Sequence, residues 1–186
     1  RLDAGFDVAT GNDGAIYVGG RTGYVTESTP DYETYGYSTL TIKYSPDGEV
    51  LWSQAELDAA RFEGANAIAV DAAGNSYIGG DFGTPLTKYG PDGTTIASNA
   101  IYFEGQPLFV YDLAIDAFGG FVAIGAGFDQ VRQVWTNAIA SLDSSLNVLW
   151  LKPIGGEFGE RGLAVAIDES NAARTAVTSG PDLVVT

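Results

Sequence analysis

The sequence predicts an all-β fold of the β-propeller class, with about four blade repeats of four antiparallel strands each. Two observations predict this fold. A strand, a glycine turn and a second strand recur along the chain, with turn glycines at Gly14, Gly74 and Gly119, about 45 to 60 residues apart. A second hairpin follows this unit, which makes four strands in each repeat, the number in one propeller blade.

The first unit of each repeat is a short apolar strand, a glycine turn and a second strand that ends in Gly. It occurs as FDVATGNDGAIYVGG from Phe6, AIAVDAAGNSYIGG from Ala67 and DLAIDAFGGFVAIG from Asp112, with a looser copy, AVAIDESNAARTAVTSG, from Ala164. Strands such as Ala67–Val70 are apolar throughout. That composition is typical of an inner strand that neighbouring sheets cover on both faces.

The second unit is a second hairpin, whose turn contains Pro-Asp-Gly in the first two copies. It reads TIKYSPDGEVLW from Thr41, LTKYGPDGTTIA from Leu86 and AIASLDSSLNVLW up to Trp150, with Lys43, Lys88 and Ser141 at equivalent positions. Pro suits a type I turn because its φ is fixed near −65°, and the Gly that follows can take the left-handed conformation. In the flanking strand the apolar and polar residues alternate, as expected when the two faces differ.

These units divide a single domain, residues 1–186, into repeats at about 5–64, 65–109, 110–162 and a partial repeat at 163–186. The last repeat provides three expected strands, Ala164–Asp168, Arg174–Thr178 and Asp182–Thr186, and no fourth. The sequence therefore favours an incomplete ring or part of a larger propeller over a closed ring of four blades. An incomplete ring would expose apolar faces on its terminal blades.

The segments IAVDAAGNSYIGG, LTKYGPDG and TIKYSPDGEVLW resemble the bacterial seven-bladed-propeller-type repeats of the SBBP family, which join two hairpins of this pattern. The likeness covers essentially the whole chain. It is good in the first two repeats, weaker in the third, where Ser141 replaces the Lys, and poor in the fourth, where Asn171 stands near the turn Gly. The resemblance implies a propeller on a large secreted or surface-attached bacterial protein. It implies no single activity and supplies no catalytic residues.

Composition excludes several classes of function. The chain has 24 acidic and 9 basic residues and a formal net charge of −15, which repels phosphate backbones and anionic lipid, so we expect no nucleic-acid partner and no membrane insertion. It has no Cys and no His, so a Ser-His-Asp triad, a thiolate–imidazole pair and a typical zinc site cannot form. The acidity and the repeats together predict an extracellular or cell-surface location, with a cytoplasmic acidic protein as the alternative.

The first repeat contains about fifteen more residues than the second between its two hairpins. We expect this insertion, RTGYVTESTPDYETYGYSTL, to be a loop, and its tyrosines and carboxylates to form a recognition surface, because Tyr combines apolar area with a polar tip. The predicted ligand-binding residues are Tyr24, Tyr32, Tyr35, Tyr37, Asp31 and Glu33. The alternative is an ordinary solvated insertion whose tyrosines cover the edge of the blade.

The predicted function is a non-catalytic module that binds a protein or glycan, or that contacts neighbouring subunits of a surface assembly. The alternative is a carboxylate-based carbohydrate-active enzyme, a hydrolase or lyase. Candidate acids for that chemistry are Glu63, Glu104, Asp112, Glu157 and Glu160. No pair of them has a diagnostic spacing, so the sequence predicts no catalytic residues.

The acidic turns raise the question of bound calcium. The turns at Asn12–Gly14, Asp71–Asn75 and Asp143–Asn147 contain oxygen ligands of the kind that Ca²⁺ binds. None of them matches a DxDxDG loop, and Asp and Asn are ordinary turn residues. The sequence therefore predicts no metal site and no cofactor.

Overall fold

A computed structural model of the protein describes residues 3–29, 32–56, 64–81, 84–116, 118–154, 162–168, 170–179 and 182–185. These residues form β-strands and turns, and no helix occurs among them. Accordingly, the described part of the chain contains no helix that could span a membrane. The prediction of an all-β fold is confirmed.

The strands follow one another along the chain with short connections. They are β1 (Ala4–Thr10), β2 (Ile16–Ser28), β3 (Glu33–Tyr44), β4 (Val50–Glu56), β5 (Ala65–Val70), β6 (Ser76–Gly80), β7 (Leu86–Tyr89), β8 (Thr95–Asn99), β9 (Tyr102–Phe103), β10 (Gln106–Pro107), β11 (Phe109–Ile115), β12 (Phe121–Asp129), β13 (Val134–Leu142), β14 (Val148–Ile154), β15 (Gly162–Ile167), β16 (Ala173–Ser179) and β17 (Asp182–Val185).

The strands pair with their sequence neighbours in antiparallel sheets. Sheet 1 is β1-β2-β3-β4, sheet 2 is β5-β6-β7-β8, sheet 3 is β11-β12-β13-β14, and sheet 4 is β15-β16-β17. Strands β9 and β10 form a small hairpin between sheets 2 and 3. Since every strand reverses direction, the tight turns between the first two and last two strands of a sheet lie at one end of it, the turn end. The other connections lie at the opposite end, the connector end.

The tight turns have the geometry that the sequence predicted. Gly14, Gly74 and Gly119 have φ values of 78°, 81° and 82°. Gly48 and Gly93, which follow Pro-Asp, have φ values of 89° and 84°. In this left-handed region a side chain is disfavoured, so glycine is the residue expected there.

The sheets stack side by side through their first strands: β1 lies against β5, β5 against β11, and β11 against β15. Apolar side chains fill the space between them. Tyr17, Ile68 and Ile78 pack between sheets 1 and 2, and Ile124 with Val165 between sheets 3 and 4. The largest cluster lies between sheets 2 and 3 and includes Tyr77, Leu86, Leu113, Phe121 and Leu142. The core is thus divided among successive interfaces, and no sheet encloses a core by itself.

Close backbone packing near the first strands requires glycine. At Gly20, Gly80 and Gly125 an added Cβ would lie 2.0, 1.9 and 1.7 Å from a main-chain carbonyl oxygen at the start of the paired strand. Such distances are well inside van der Waals contact, so only Gly fits. The Gly at this position of each second strand is therefore a steric requirement of the sheet.

Candidate functional site

The predicted loop of sheet 1 is a two-stranded ribbon. Strands β2 and β3 continue past the sheet, so that Arg21 to Ser28 pair with Thr39 back to Glu33. Strand β2 has 13 residues, whereas the equivalent β6 has 5. The loop prediction was therefore wrong, and the reason is physical: Thr, Tyr and Val favour strands, and here each finds a partner across the ribbon.

One face of the ribbon is filled by the Tyr24 ring. This ring lies directly over Gly36 on the opposite strand, where an added Cβ would be 2.6 Å from Tyr24 Cζ. The hydroxyl groups of Thr26 and Thr34 are 2.8 Å apart on the same face. An aromatic ring that covers a cross-strand glycine stabilises a ribbon, so Tyr24 has a packing role here.

The other face of the ribbon holds an arginine between two rings. The guanidinium carbon of Arg21 lies 4.2 Å from the centroid of Tyr37 and 5.4 Å from that of Phe6. Such contacts are favourable because the face of an aromatic ring attracts a cation. Arg21 thus joins Tyr37, at the base of the ribbon, to Phe6 in the first strand of sheet 1.

The end of the ribbon presents exposed tyrosines paired with carboxylates. Tyr32, 53% exposed, donates to Glu27 Oε1 at 3.2 Å, and Tyr35 donates to Glu33 Oε2 at 2.6 Å. The hydrogen bond to Glu33 and the charge of that carboxylate raise the pKa of Tyr35. The Ser28 hydroxyl donates to the other oxygen of Glu33 at 3.4 Å. We call these residues, Glu27, Ser28, Tyr32, Glu33 and Tyr35, the ribbon tip.

The structure therefore separates the predicted site residues into two groups. Tyr32, Glu33 and Tyr35 come together at the ribbon tip, whereas Tyr24 and Tyr37 pack closer to the sheet. Asp31 lies outside the described residues. Glu27, which the sequence analysis did not select, belongs to the tip because it accepts the hydrogen bond from Tyr32.

A second group of aromatic residues at the connector end was missed in the sequence. Trp135, which is 43% exposed, lies edge-on to Phe109 and Phe128, with ring centroids 5.1 and 5.6 Å away. Phe128 and Trp135 face each other across the last pairs of the β12–β13 hairpin. The signal was a pair of aromatic residues on either side of a polar turn, FDQVRQVW. This group is on the same end of the sheets as the ribbon tip.

The carboxylates of the acidic turns accept hydrogen bonds from the main chain of the same turn. Asp71, Asp143 and Asp168 each accept main-chain N–H groups of their own turn at 2.9 to 3.0 Å. The side-chain amide of Asn147 and the N–H groups of the turn hold the pKa of Asp143 below its usual value. Within the described ranges no three acidic, His or Cys side chains converge to hold a metal ion. These aspartates shape the turns.

Two carboxylates, Asp7 and Asp112, occupy equivalent positions in the first strands of sheets 1 and 3. Burial raises the pKa of Asp112, and the charge of Asp7 raises it as well. Both oxygens of Asp112 accept hydrogen bonds, from Leu113 N and from Val165 N of sheet 4, at 2.8 and 2.7 Å. Asp7 does the same with Val8 N and with Ile68 N of sheet 2, both at 2.8 Å. Each carboxylate therefore joins two sheets.

Comparison with known proteins gives the fold alone. No protein-family model matches the sequence, and no curated protein matches it. A protein of unknown function from Bacteroides caccae is similar in structure, with a TM-score of 0.59 and 14% sequence identity over 100% of this chain. This chain spans 57% of the length of that protein. A luciferin-regenerating enzyme gives a TM-score of 0.47 at 14% identity, over 97% of this chain and 72% of that enzyme.

Proposed function

We propose that the chain is a non-catalytic β-propeller module of an extracellular or cell-surface bacterial protein, and that its ribbon tip binds a protein or glycan ligand. The stacking of four antiparallel sheets through their first strands supports the propeller. The observation that carries the binding role is the ribbon itself. It extends two strands beyond sheet 1 and exposes Tyr32 and Tyr35 with their hydroxyl groups already oriented.

The chemistry of the tip suits a neutral or basic ligand. Tyr rings offer flat apolar surfaces, and the carboxylates of Glu27 and Glu33 can accept hydrogen bonds from sugar hydroxyl groups or from Lys and Arg. Because Tyr has few rotatable bonds and these two are already hydrogen-bonded, little side-chain entropy is lost on binding. The net charge of −15 disfavours anionic ligands.

Binding can be tested with a glycan array and a panel of Lys- and Arg-rich peptides. We expect Tyr35→Ala and Tyr32→Ala each to weaken binding at least about tenfold, the loss typical of a central aromatic contact. Tyr102→Ala is the matched control, because Tyr102 is 61% exposed and lies outside the ribbon. Equal losses in all three variants, or no ligand in either collection, would contradict the proposal.

A carboxylate-based carbohydrate-active enzyme is the alternative, and the half-buried carboxylate of Asp112, whose pKa is raised by burial and by the charge of Asp7, is the observation that favours it. A raised pKa is expected of a general acid in such an enzyme. The engagement of both carboxylates with main-chain N–H groups of two sheets supports a structural role instead. Incubation of any bound glycan with the protein separates the two functions, since turnover that Asp112→Asn abolishes would establish the enzyme.

A further inference from the structure

Sheets 2 and 3 each bury one face against the sheet that precedes them in the chain. We call this the leading face of a sheet, and the opposite one, toward the next sheet, its trailing face. Ile68, Ile78 and Tyr89 on the leading face of sheet 2 are 4%, 1% and 2% exposed. On the leading face of sheet 3, Phe121 and Leu142 are 0% and 1% exposed. The preceding sheet thus excludes water from each of these faces.

Sheet 1 has the same apolar pattern on its leading face, but no sheet of the described chain covers it. Val8 pairs with Val18 as Ile68 pairs with Ile78, yet Val8 is 60% exposed. Val50, opposite Tyr44, is also 60% exposed. The apolar residues of this face are Val8, Ile16, Val18, Leu40, Ile42, Tyr44 and Val50. Exposed apolar surface of this kind marks an interaction site.

The interface between sheets 1 and 2 and the interface between sheets 2 and 3 each contain a hydrogen bond from a buried lysine. On the trailing face of sheet 1, Lys43 Nζ donates to the Pro91 carbonyl at 3.3 Å. On that of sheet 2, Lys88 Nζ donates to the Ser144 carbonyl at 2.9 Å. The two lysines are 5% and 9% exposed, and each acceptor is the second residue of a tight turn in the next sheet.

A side-chain amide makes the second shared hydrogen bond. Gln54 Nε2 donates to the Gly93 carbonyl and Asn99 Nδ2 to the Leu146 carbonyl, both at 2.9 Å. Gln54 pairs with Thr41 in sheet 1 as Asn99 pairs with Leu86 in sheet 2. In each interface the acceptor is the fourth residue of the same turn that receives the lysine.

Sheet 1 carries the matching acceptors on its own turn. In Ser45-Pro46-Asp47-Gly48, the second and fourth residues correspond to Pro91 and Gly93, and both turns close with the same hydrogen bond, at 3.0 and 2.9 Å. No side chain of the described residues donates to the carbonyl of Pro46 or Gly48. The space around Gly48 is open, with nothing within 4 Å of an added Cβ.

We propose that the leading face of sheet 1 is the docking face for a further four-stranded antiparallel sheet of this same pattern. Its third strand places a Lys ammonium on the Pro46 carbonyl, and its fourth strand places an amide on the Gly48 carbonyl. The inference depends on continuity with the two interfaces already described, and not on the ribbon tip. An apolar partner of another kind would leave both polar acceptors without donors, at a cost in free energy.

Sheet 4 of a second copy is a poor occupant of this face. Arg174 stands at the register position of Tyr17 and Tyr77, since it pairs with Ala166 as they pair with Ala9 and Ala69. Its guanidinium already contacts Asp168 Oδ2 at 2.7 Å. In the interfaces between sheets 1 and 2 and between sheets 2 and 3, the lysine Nζ lies 5.0 Å from the centroid of this tyrosine ring. Sheet 4 has no aromatic ring at this position.

The docking face can be tested by supplying a sheet of the right pattern. A copy of residues 64–108, which includes sheet 2 and its natural connector, is joined ahead of Ala4 in the full chain. We expect amide hydrogen exchange in β1 and β2 to slow at least about tenfold, because their leading face becomes buried. The matched control carries Lys88→Met and Asn99→Ala in the added copy only, and should lose most of this protection.

A second measurement introduces Val8→Asp into the original chain and into the chain extended by the copy of residues 64–108. Thermal unfolding of each protein is then measured. The variant should be nearly neutral in the original chain, where Val8 is solvated, and should lower the melting temperature by several degrees in the extended one. Equal exchange rates with and without the added sheet would overturn the proposal. It would also fail if the original chain proved to be a dimer that Val8→Asp dissociates, because the occupant would then be a second copy.

Discussion

At the scale of single residues, aspartate carboxylates accept hydrogen bonds from main-chain N–H groups both within turns and between sheets. The carboxylates of the turns accept N–H groups within the same turn, and Asp7 and Asp112 accept N–H groups from a neighbouring sheet. Unsatisfied main-chain N–H groups are costly when they are shielded from water. Much of the acidity of this chain is therefore a structural requirement of its turns and interfaces.

We predict that the contribution of Asp143 to stability depends on pH. Its pKa is lowered on folding by hydrogen bonds from Asn147 and its own turn, so its stabilising effect is present above the unfolded value of 3.8 and is lost as pH falls through the lower folded value. Asp143→Ala should therefore lower the melting temperature at pH 7 and have little effect near pH 2, as measured by calorimetry.

The control for this prediction is Asp47→Ala. In that turn the Ser45 hydroxyl, and not the aspartate, accepts the N–H of Glu49 at 3.1 Å. The melting temperature of this variant should stay within about a degree of the parent at both pH values, as for most surface substitutions. An Asp143→Ala effect that is the same at pH 7 and pH 2 would contradict the assigned pKa shift.

The turn residues could be predicted from the sequence, and the inter-sheet carboxylates could not. Turn chemistry is local, so Gly, Pro and Asp at fixed offsets were sufficient to place Gly14 and Gly93 in left-handed conformations. The acceptor role of Asp112 depends on Val165, 53 positions later in the chain. Sheets 2 and 4 have Ala67 and Ala164 at the position of Asp7 and Asp112, so the acid is not a feature of every repeat.

At the scale of elements, the ribbon is a strand pair that the sequence predicted to be a loop. Gly23, Gly36 and several Ser and Thr residues give the segment the composition of a loop. Its order comes from cross-strand contacts: the Tyr24 ring over Gly36, and Tyr37 against Arg21. These contacts form only when the register is correct, and composition does not reveal register.

We predict that Gly36→Val unfolds the ribbon and leaves the sheets intact. A side chain at this position would meet the Tyr24 ring at 2.6 Å and Thr26 Cγ2 at 2.9 Å, so the ring must move away from the opposite strand. Hydrogen exchange should increase at residues 21–28 and 33–39 and stay unchanged in sheets 2 and 3. Thr34→Val, on the same face and strand, is the control and should keep the exchange pattern of the parent.

At the scale of the whole molecule, the sheets are joined by apolar packing and by side chains that reach main-chain carbonyls of the next sheet. We predict that Lys88→Met reduces the free energy of unfolding by about 1.5 to 3 kcal/mol, because a charge-assisted hydrogen bond to Ser144 is lost while its acceptor stays in the interface. Denaturant titration measures this loss.

Lys152→Met is the matched control for that prediction, since Lys152 is exposed and contacts only the Trp150 ring, at 5.4 Å from its centroid, among the interactions described. Its effect should stay within about 0.5 kcal/mol. If Lys88→Met proved as mild as this control, the inter-sheet lysine would not hold the sheets together. The sequence identified Lys88 through its likeness to Lys43, but the turn that each lysine reaches is known only from the structure.

The pairing of side-chain donors with main-chain acceptors has a consequence for how such molecules diverge. Pro91, Gly93, Ser144 and Leu146 share no chemistry beyond the peptide carbonyl, yet all serve as receptors for a neighbour. A side-chain substitution at Pro91, Ser144 or Leu146 therefore leaves the accepting carbonyl in place, whereas replacement of the Lys or the amide removes the donor. In distant relatives, the Lys and amide donors should therefore stay the same for longer than the sequences of the turns that accept their hydrogen bonds.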